Sequence, residues 1–289
     1  MQRHVTIALT CAATAVAGLL AFHALRGPES QRTQHGSSNG SAAVVADNST
    51  APKSRQTASM TQVHKEVGKA FTMFRTAELR PAGDPNEWIQ SLIPLSESGD
   101  ANASYEIYLA ILDCQQYIRD SSEKELAFAK SIGASPAYIE TMARKLKECE
   151  VLDPRFFTAG GDWLKKAADQ GSIEAQVAYA NNPDAVIGPE AKNDSEEAAD
   201  WRRNAESYLN EAMRKGSVDA ISGLSNLYLS GVAGTKDPAM AYAMQLALKR
   251  INPAYASDKY IDAIGRQLSD AQVERAKLAS QEVFNLTIQ

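Results

Sequence analysis

Residues 208–248, YLNEAMRKGSVDAISGLSNLYLSGVAGTKDPAMAYAMQLAL, decide the fold. A helix carrying Leu209 and Ala212 runs into Gly216, a residue that enters the left-handed region without a Cβ clash and so ends helices. Ser217 follows as a cap for a second helix, and Ala220 lets the two approach closely. Leu224 and Leu227 continue the apolar side of that helix to a second stop at Gly231. Asp237-Pro238 then supplies an N-cap and an N1 proline for a third helix. The stretch reads as antiparallel helices joined by tight turns.

Working outward, the same spacing occurs twice more. Relative to each turn glycine, Leu92, Leu95, Gly99 and Ala103 match Leu164, Ala167, Gly171 and Ala175, and both match Leu209, Ala212, Gly216 and Ala220. Agreement at four positions in three places marks an internal repeat of helix pairs. Asp100, Ser172 and Ser217 are the caps of the second helix in each unit. The 72 residues between Gly99 and Gly171 leave room for an extra hairpin, and Asn181-Asn182-Pro183 cuts the second helix of the middle unit short.

These residues resemble the Sel-one-like repeats, a branch of the tetratricopeptide-related helical solenoids. The best match is residues 205–248, where Leu224, Leu227, Tyr228, Gly231, Asp237 and Ala241 stand where that family has them. The resemblance covers roughly residues 85–250. It implies an α/α superhelix acting as a protein-interaction surface or adaptor, and it brings no catalytic motif.

The remainder of 61–289 reads as helical too. Val63, Val67, Ala70, Phe71 and Phe74 have helical spacing, and no strand is expected after Thr61. Asp84-Pro85, Ser135-Pro136 and Asp153-Pro154 open helices, and Pro94 should kink or end the first of them. Ser122-Glu123-Lys124-Glu125 and Ser269-Asp270-Ala271-Gln272 are capping boxes, and Gly133 is a stop.

Ahead of this region lies a different composition. Residues 1–4 precede an uncharged apolar run of 18 residues, Val5 to Phe22, within a span taken as 5–25. That is the lower limit for crossing a bilayer as a helix. It reads as a signal anchor, with a cleaved leader as the alternative. Residues 26–60 are rich in Ser, Gly, Asn, Thr, Gln and Ala and read as a flexible linker. The expected arrangement is a single-pass inner-membrane protein with its folded domain in the periplasm, or a periplasmic protein if the leader is cleaved. The expected fold class is all-α: a short α/α superhelical repeat solenoid behind an apolar helix and a disordered linker.

Charge and residue usage exclude several functions. The net charge is −5, yet residues 1–60 are positive, so the remainder is strongly acidic and unsuited to nucleic acid. All four histidines, His4, His23, His35 and His64, lie at or before residue 64, which removes Ser-His-Asp, Cys-His and histidine-zinc constellations from the repeats. No phosphate loop or dinucleotide pattern is present, and no cofactor or metal is expected. Glu196-Glu197 and Glu148/Glu150 are carboxylate pairs that read as solvated helix faces. Cys114 and Cys149 each end an apolar helix face; in an exported chain they are expected to pair, the alternative being two buried free cysteines in the helix core.

The functional expectation is a scaffold of the cell envelope that binds a protein or peptide, with residues 5–25 in the membrane. The alternatives are an envelope enzyme with a carboxylate-based hydrolase site and a purely architectural oligomer. Trp201 and Tyr208 are candidates for a binding groove or, equally, for the core. Trp163 stands at an inter-helix packing position of the Sel-one-like repeats, so the resemblance implies a core role for it, while Tyr105, Tyr108, Tyr117, Tyr138 and Tyr179 could line a groove.

Overall fold

A computed structural model describes residues 61–75, 78–118, 122–188, 195–231 and 236–289. These residues belong to one compact unit and are mostly helical. The expected apolar helix (5–25) and linker (26–60) lie outside the described residues. Among the described residues, no helix is long and apolar enough to cross a membrane.

The first described element corrects the helical reading of 61–75. Strand β1 (Thr61–Lys65) pairs antiparallel with β2 (Phe71–Arg75), with Val63 opposite Met73. The apolar positions at 63, 67, 70, 71 and 74 fit a helical period, but Gly68 sits in their midst at φ 62° and turns the chain. The Glu66 N–H donates to the Ala70 carbonyl and closes that turn. Val, Phe and Thr on either side favour extended backbone.

Helices follow in order: α1 (Pro85–Glu97), α2 (Ala101–Tyr117), α3 (Ser122–Ser131), α4 (Pro136–Cys149), α5 (Pro154–Thr158), α6 (Gly160–Asp169), α7 (Ile173–Asn181), α8 (Pro183–Ile187), α9 (Glu196–Arg214), α10 (Val218–Ser230), α11 (Pro238–Ile251), α12 (Asp258–Gly265) and α13 (Asp270–Ile288). Their starts follow the sequence punctuation. Asp84, Ser135, Asp153 and Asp237 cap helices whose first position is proline, and Asp100, Ser172 and Ser217 cap the second helices of the three repeat units. The turn glycines Gly99, Gly171 and Gly216 have φ of 97°, 92° and 102°, and Gly231 caps α10 in the left-handed conformation. Pro94 does not end α1. It removes one donor near the helix end, and α1 keeps its packing on both sides of it, through Ile89 and Leu92 before it and Ser96 after it.

Packing runs along the chain in pairs. Helix α1 packs on α2, α2 on α6, α6 on α7, α7 on α9, α9 on α10, α10 on α11 and α11 on α13. The repeat positions Leu164, Ala167, Ala175, Leu209, Ala212 and Ala220 are fully buried between these layers. Leu95 departs from the pattern at 48% exposure. Helix α1 opens the stack among the described residues, so it has no preceding second helix to cover that position.

The extra hairpin between the first two units is α3 and α4. It is attached differently from the rest. Of α4 only Lys145 and Cys149 are buried. Cys149 is bonded to Cys114 on α2, with both sulfurs fully buried. Beside the disulfide lies a charge network. The Arg80 guanidinium is fully buried; Nε is 3.0 Å from Asp113 Oδ2, Nη2 donates to Glu148 at 2.9 Å, and Nη1 donates to the carbonyls of Pro81 and Gly83. Lys145 bridges Asp113 at 2.8 Å and Glu78 at 2.9 Å. Arg144 pairs with Glu148 and Glu78, so three cations face three carboxylates.

The disulfide closes a 35-residue separation. Loop-closure entropy gives it a contribution of about 3–4 kcal/mol. Cys149→Ser is therefore expected to lower the melting temperature under oxidising conditions and to have little effect relative to wild type in excess reductant. Two titratable thiols in the native wild-type domain would contradict the bond.

Candidate interaction surface

The second helices of the three repeat units, α2, α7 and α10, present their N-terminal ends to one strand. Strand β2 lies extended across them. The Phe71 N–H donates to the carbonyl of turn residue Gly216 at 2.9 Å, and the Met73 N–H donates to Asp219 Oδ2 at 3.0 Å. Arg75 then splits its guanidinium between two helices. Nη1 donates to Glu106 of α2 at 2.9 Å, and Nη2 donates to Glu174 of α7 at 3.2 Å. The same guanidinium lies 5.5 Å from the centre of the Tyr105 ring. Thr61 of β1 donates to Glu174 at 2.7 Å.

The turn end of the hairpin is held at the other side. Lys69 donates its N–H to the carbonyl of Ile288, near the end of α13. Tyr255 and Asn252, beyond α11, donate to Glu66. The hairpin thus touches every unit of the stack, yet of residues 61–75 only Ala70 is buried.

The electrostatics of this face follow from partial burial of several carboxylates. Glu106 is raised above the usual carboxylate range, chiefly by burial, with Arg75 opposing the shift. Asp219 is raised by burial against the hydrogen bond from Met73. Arg75 is also raised; burial lowers it, but Glu106 and Glu174 together outweigh that. Burial likewise raises the Tyr105 phenol.

Arg75→Ala leaves Glu106 and Glu174 half-buried without their cation, which costs about 2–4 kcal/mol near neutral pH. A carboxylate whose folded pKa is raised binds protons more readily folded than unfolded. Its stability contribution is therefore full below the unfolded value, about 4.3, and is lost as pH rises through the folded value. Removing Arg75 raises Glu106 further. Denaturant titrations should show the Arg75→Ala penalty shrinking as pH falls from 7.5 towards 4.5. A penalty independent of pH would contradict the ion-pair geometry.

The other sequence candidates fall elsewhere. Trp201 is 3% exposed and donates its indole N–H to the Tyr179 carbonyl; Tyr208 is 8% exposed and donates to Asp169. Both are core residues, packed with Tyr179 edge-to-face on Tyr208. Tyr108 is buried as well, and its phenol is pushed up to about 12 by that burial. Trp163 is partly buried between two apolar clusters. Tyr105 does reach the interaction face, under Arg75.

Glu196 and Glu197 are exposed in the first turn of α9. Glu148 is held below its ordinary range; burial raises it, but hydrogen bonds from Arg144, the Gly83 backbone and Arg80 prevail. It borders an open pocket of about 770 Å³ lined with Gly83, Asp84, Glu140, Arg144, Lys147 and Val151. Among the described residues, Asp113, Cys114 and Cys149 are the one cluster with ligand spacing, and the disulfide occupies both sulfurs.

Glu174 and Asp219 were within reach of the sequence. Each stands three residues after its turn glycine, at the same repeat position. First-turn acids are usually read as complements to the helix dipole, which hides a second use. Arg75 gave no such signal, because its role depends on a strand that the apolar spacing concealed. No family model matches the chain, and no curated protein or solved structure matches it.

Proposed function

We propose that this chain is a protein- or peptide-binding scaffold of the cell envelope. In this reading the helix pairs form an α/α solenoid akin to the Sel-one-like repeats, and residues 5–25 anchor it with the domain in the periplasm. The observation that carries the reading is an extended strand laid across the ends of three repeat helices, fixed by main-chain hydrogen bonds and a shared guanidinium. Strand-like main-chain pairing plus a few side-chain anchors is how many receptors hold peptides. The buried disulfide supports an oxidising compartment.

Two measurements test this. A reporter active only in the cytoplasm, fused at residue 60, should give no signal, and strong activity would refute the location. Cross-linking and pull-down of the full chain from envelope extract should capture a partner that the heat-unfolded chain does not. Recovery of copies of this chain alone would instead favour an architectural oligomer.

A further inference from the structure

Strand β2 occupies its helical face in the way a bound peptide would. It is extended, it uses main-chain N–H groups at Phe71 and Met73, and it ends in one guanidinium clasped by two carboxylates over an aromatic ring. The face carries more negative charge than its occupant neutralises. Glu106, Glu174 and Asp219 bring three carboxylates, and Arg75 is the cation that meets two of them. The third, Asp219, receives main-chain hydrogen bonds, from Met73 and from its own N–H, and no cation pairs with it among the described residues. The occupant is also lightly held, since β1 is exposed along most of its length and Ala70 is the one buried residue of the hairpin. Two-stranded hairpins have little stability of their own.

We propose that the surface formed by Glu106, Glu174, Asp219 and the Gly216 carbonyl is a binding site for an extended, arginine-bearing peptide segment of a partner protein. The chain's own β2 holds that site in cis, and the partner displaces it. This rests on the scaffold reading above and adds to it the site and the chemistry of the partner. Surplus negative charge favours an incoming strand more basic than β2. A site closed by its own chain lowers the apparent affinity by the fraction of time it stands open.

The test uses the full chain and a labelled synthetic peptide with the sequence of residues 69–75. A Cβ at Gly68 would collide with the Ile288 carbonyl oxygen, and Gly68 also has φ 62°, so Gly68→Val loosens the turn end of the hairpin. Fluorescence anisotropy should show at least tenfold tighter peptide binding by Gly68→Val than by wild type. That gain should be lost when Glu174→Gln is added or when the arginine of the peptide is replaced by alanine. Equal binding by wild type and a folded Gly68→Val chain, or binding indifferent to Glu174 and the arginine, overturns the proposal.

Hydrogen exchange on the wild-type chain gives a second arm that needs no variant. Excess peptide should speed exchange of the Phe71 and Met73 amides while leaving those of α10 unchanged. Amides at 71 and 73 that exchange no faster than the α10 core and ignore millimolar peptide overturn the proposal, even if Gly68→Val fails to fold. A partner captured equally by wild-type and Glu174→Gln chains would leave the scaffold reading standing and refute this site.

Discussion

Exchanging Arg80 for methionine is expected to destabilise the folded chain by about 3–5 kcal/mol, the range for breaking a buried ion pair on one side. The side chain is fully buried and meets Asp113, Glu148 and two carbonyls of the segment leading into α1. Methionine fills similar volume, so the cost falls on the partners left behind. Lys145 still meets Asp113 and Arg144 still meets Glu148, but three carboxylates then face two cations. Urea titration followed by circular dichroism at neutral pH would measure the loss. Glu148 is held low in the folded state. Its contribution is therefore present above its unfolded pKa, about 4.3, and is lost as pH falls through the lower folded value, so the gap between wild type and variant should narrow in acid. A change under 1 kcal/mol at pH 7 would mean that the network relaxes without this cation.

Gly216→Val is expected to cost a similar amount, about 3–5 kcal/mol, from two separate sources. At φ 102° a β-branched residue is strained, at about 1–3 kcal/mol. The added Cβ would also stand 2.6 Å from the Lys69 carbonyl oxygen, so the hairpin must shift or the turn must open. Gly99 separates the two terms. Its φ is 97°, and a Cβ there meets nothing within 4 Å, so Gly99→Val should show the strain alone. Thermal melts of both variants decide the matter. Equal losses would mean that the hairpin yields freely at Gly216.

The repeat was legible because it is written in residues with one structural meaning. A glycine at a left-handed turn, a cap directly after it and alanines between close helices leave few other conformations. The same holds for the Asp-Pro and Ser-Pro starts. The hairpin was not legible, because five apolar positions between 63 and 74 fit either period, and the deciding partner of each strand lies more than a hundred residues away. Trp201 and Tyr208 illustrate a different limit. Their helix and spacing follow from sequence, but which side of α9 faces Tyr179 depends on the neighbouring unit. Arg80 gives no such signal, because an isolated arginine ahead of a proline shows no sign of burial until Asp113 of α2 and Glu148 of α4 are brought to it.

The hairpin's reach changes how this stack should unfold. Repeat arrays are held by nearest neighbours, so they tend to fray from their ends and to lose cooperativity as they lengthen. Here one short strand pair ties the first unit to the last, through contacts separated by 146 residues at Asp219 and 189 at Tyr255. While the strand is docked the end units cannot fray without releasing it, so melting is expected to be more cooperative with the strand docked than with it displaced. The cost appears in kinetics: long-range contacts raise the contact order, and the hairpin can dock only after the last helix has formed.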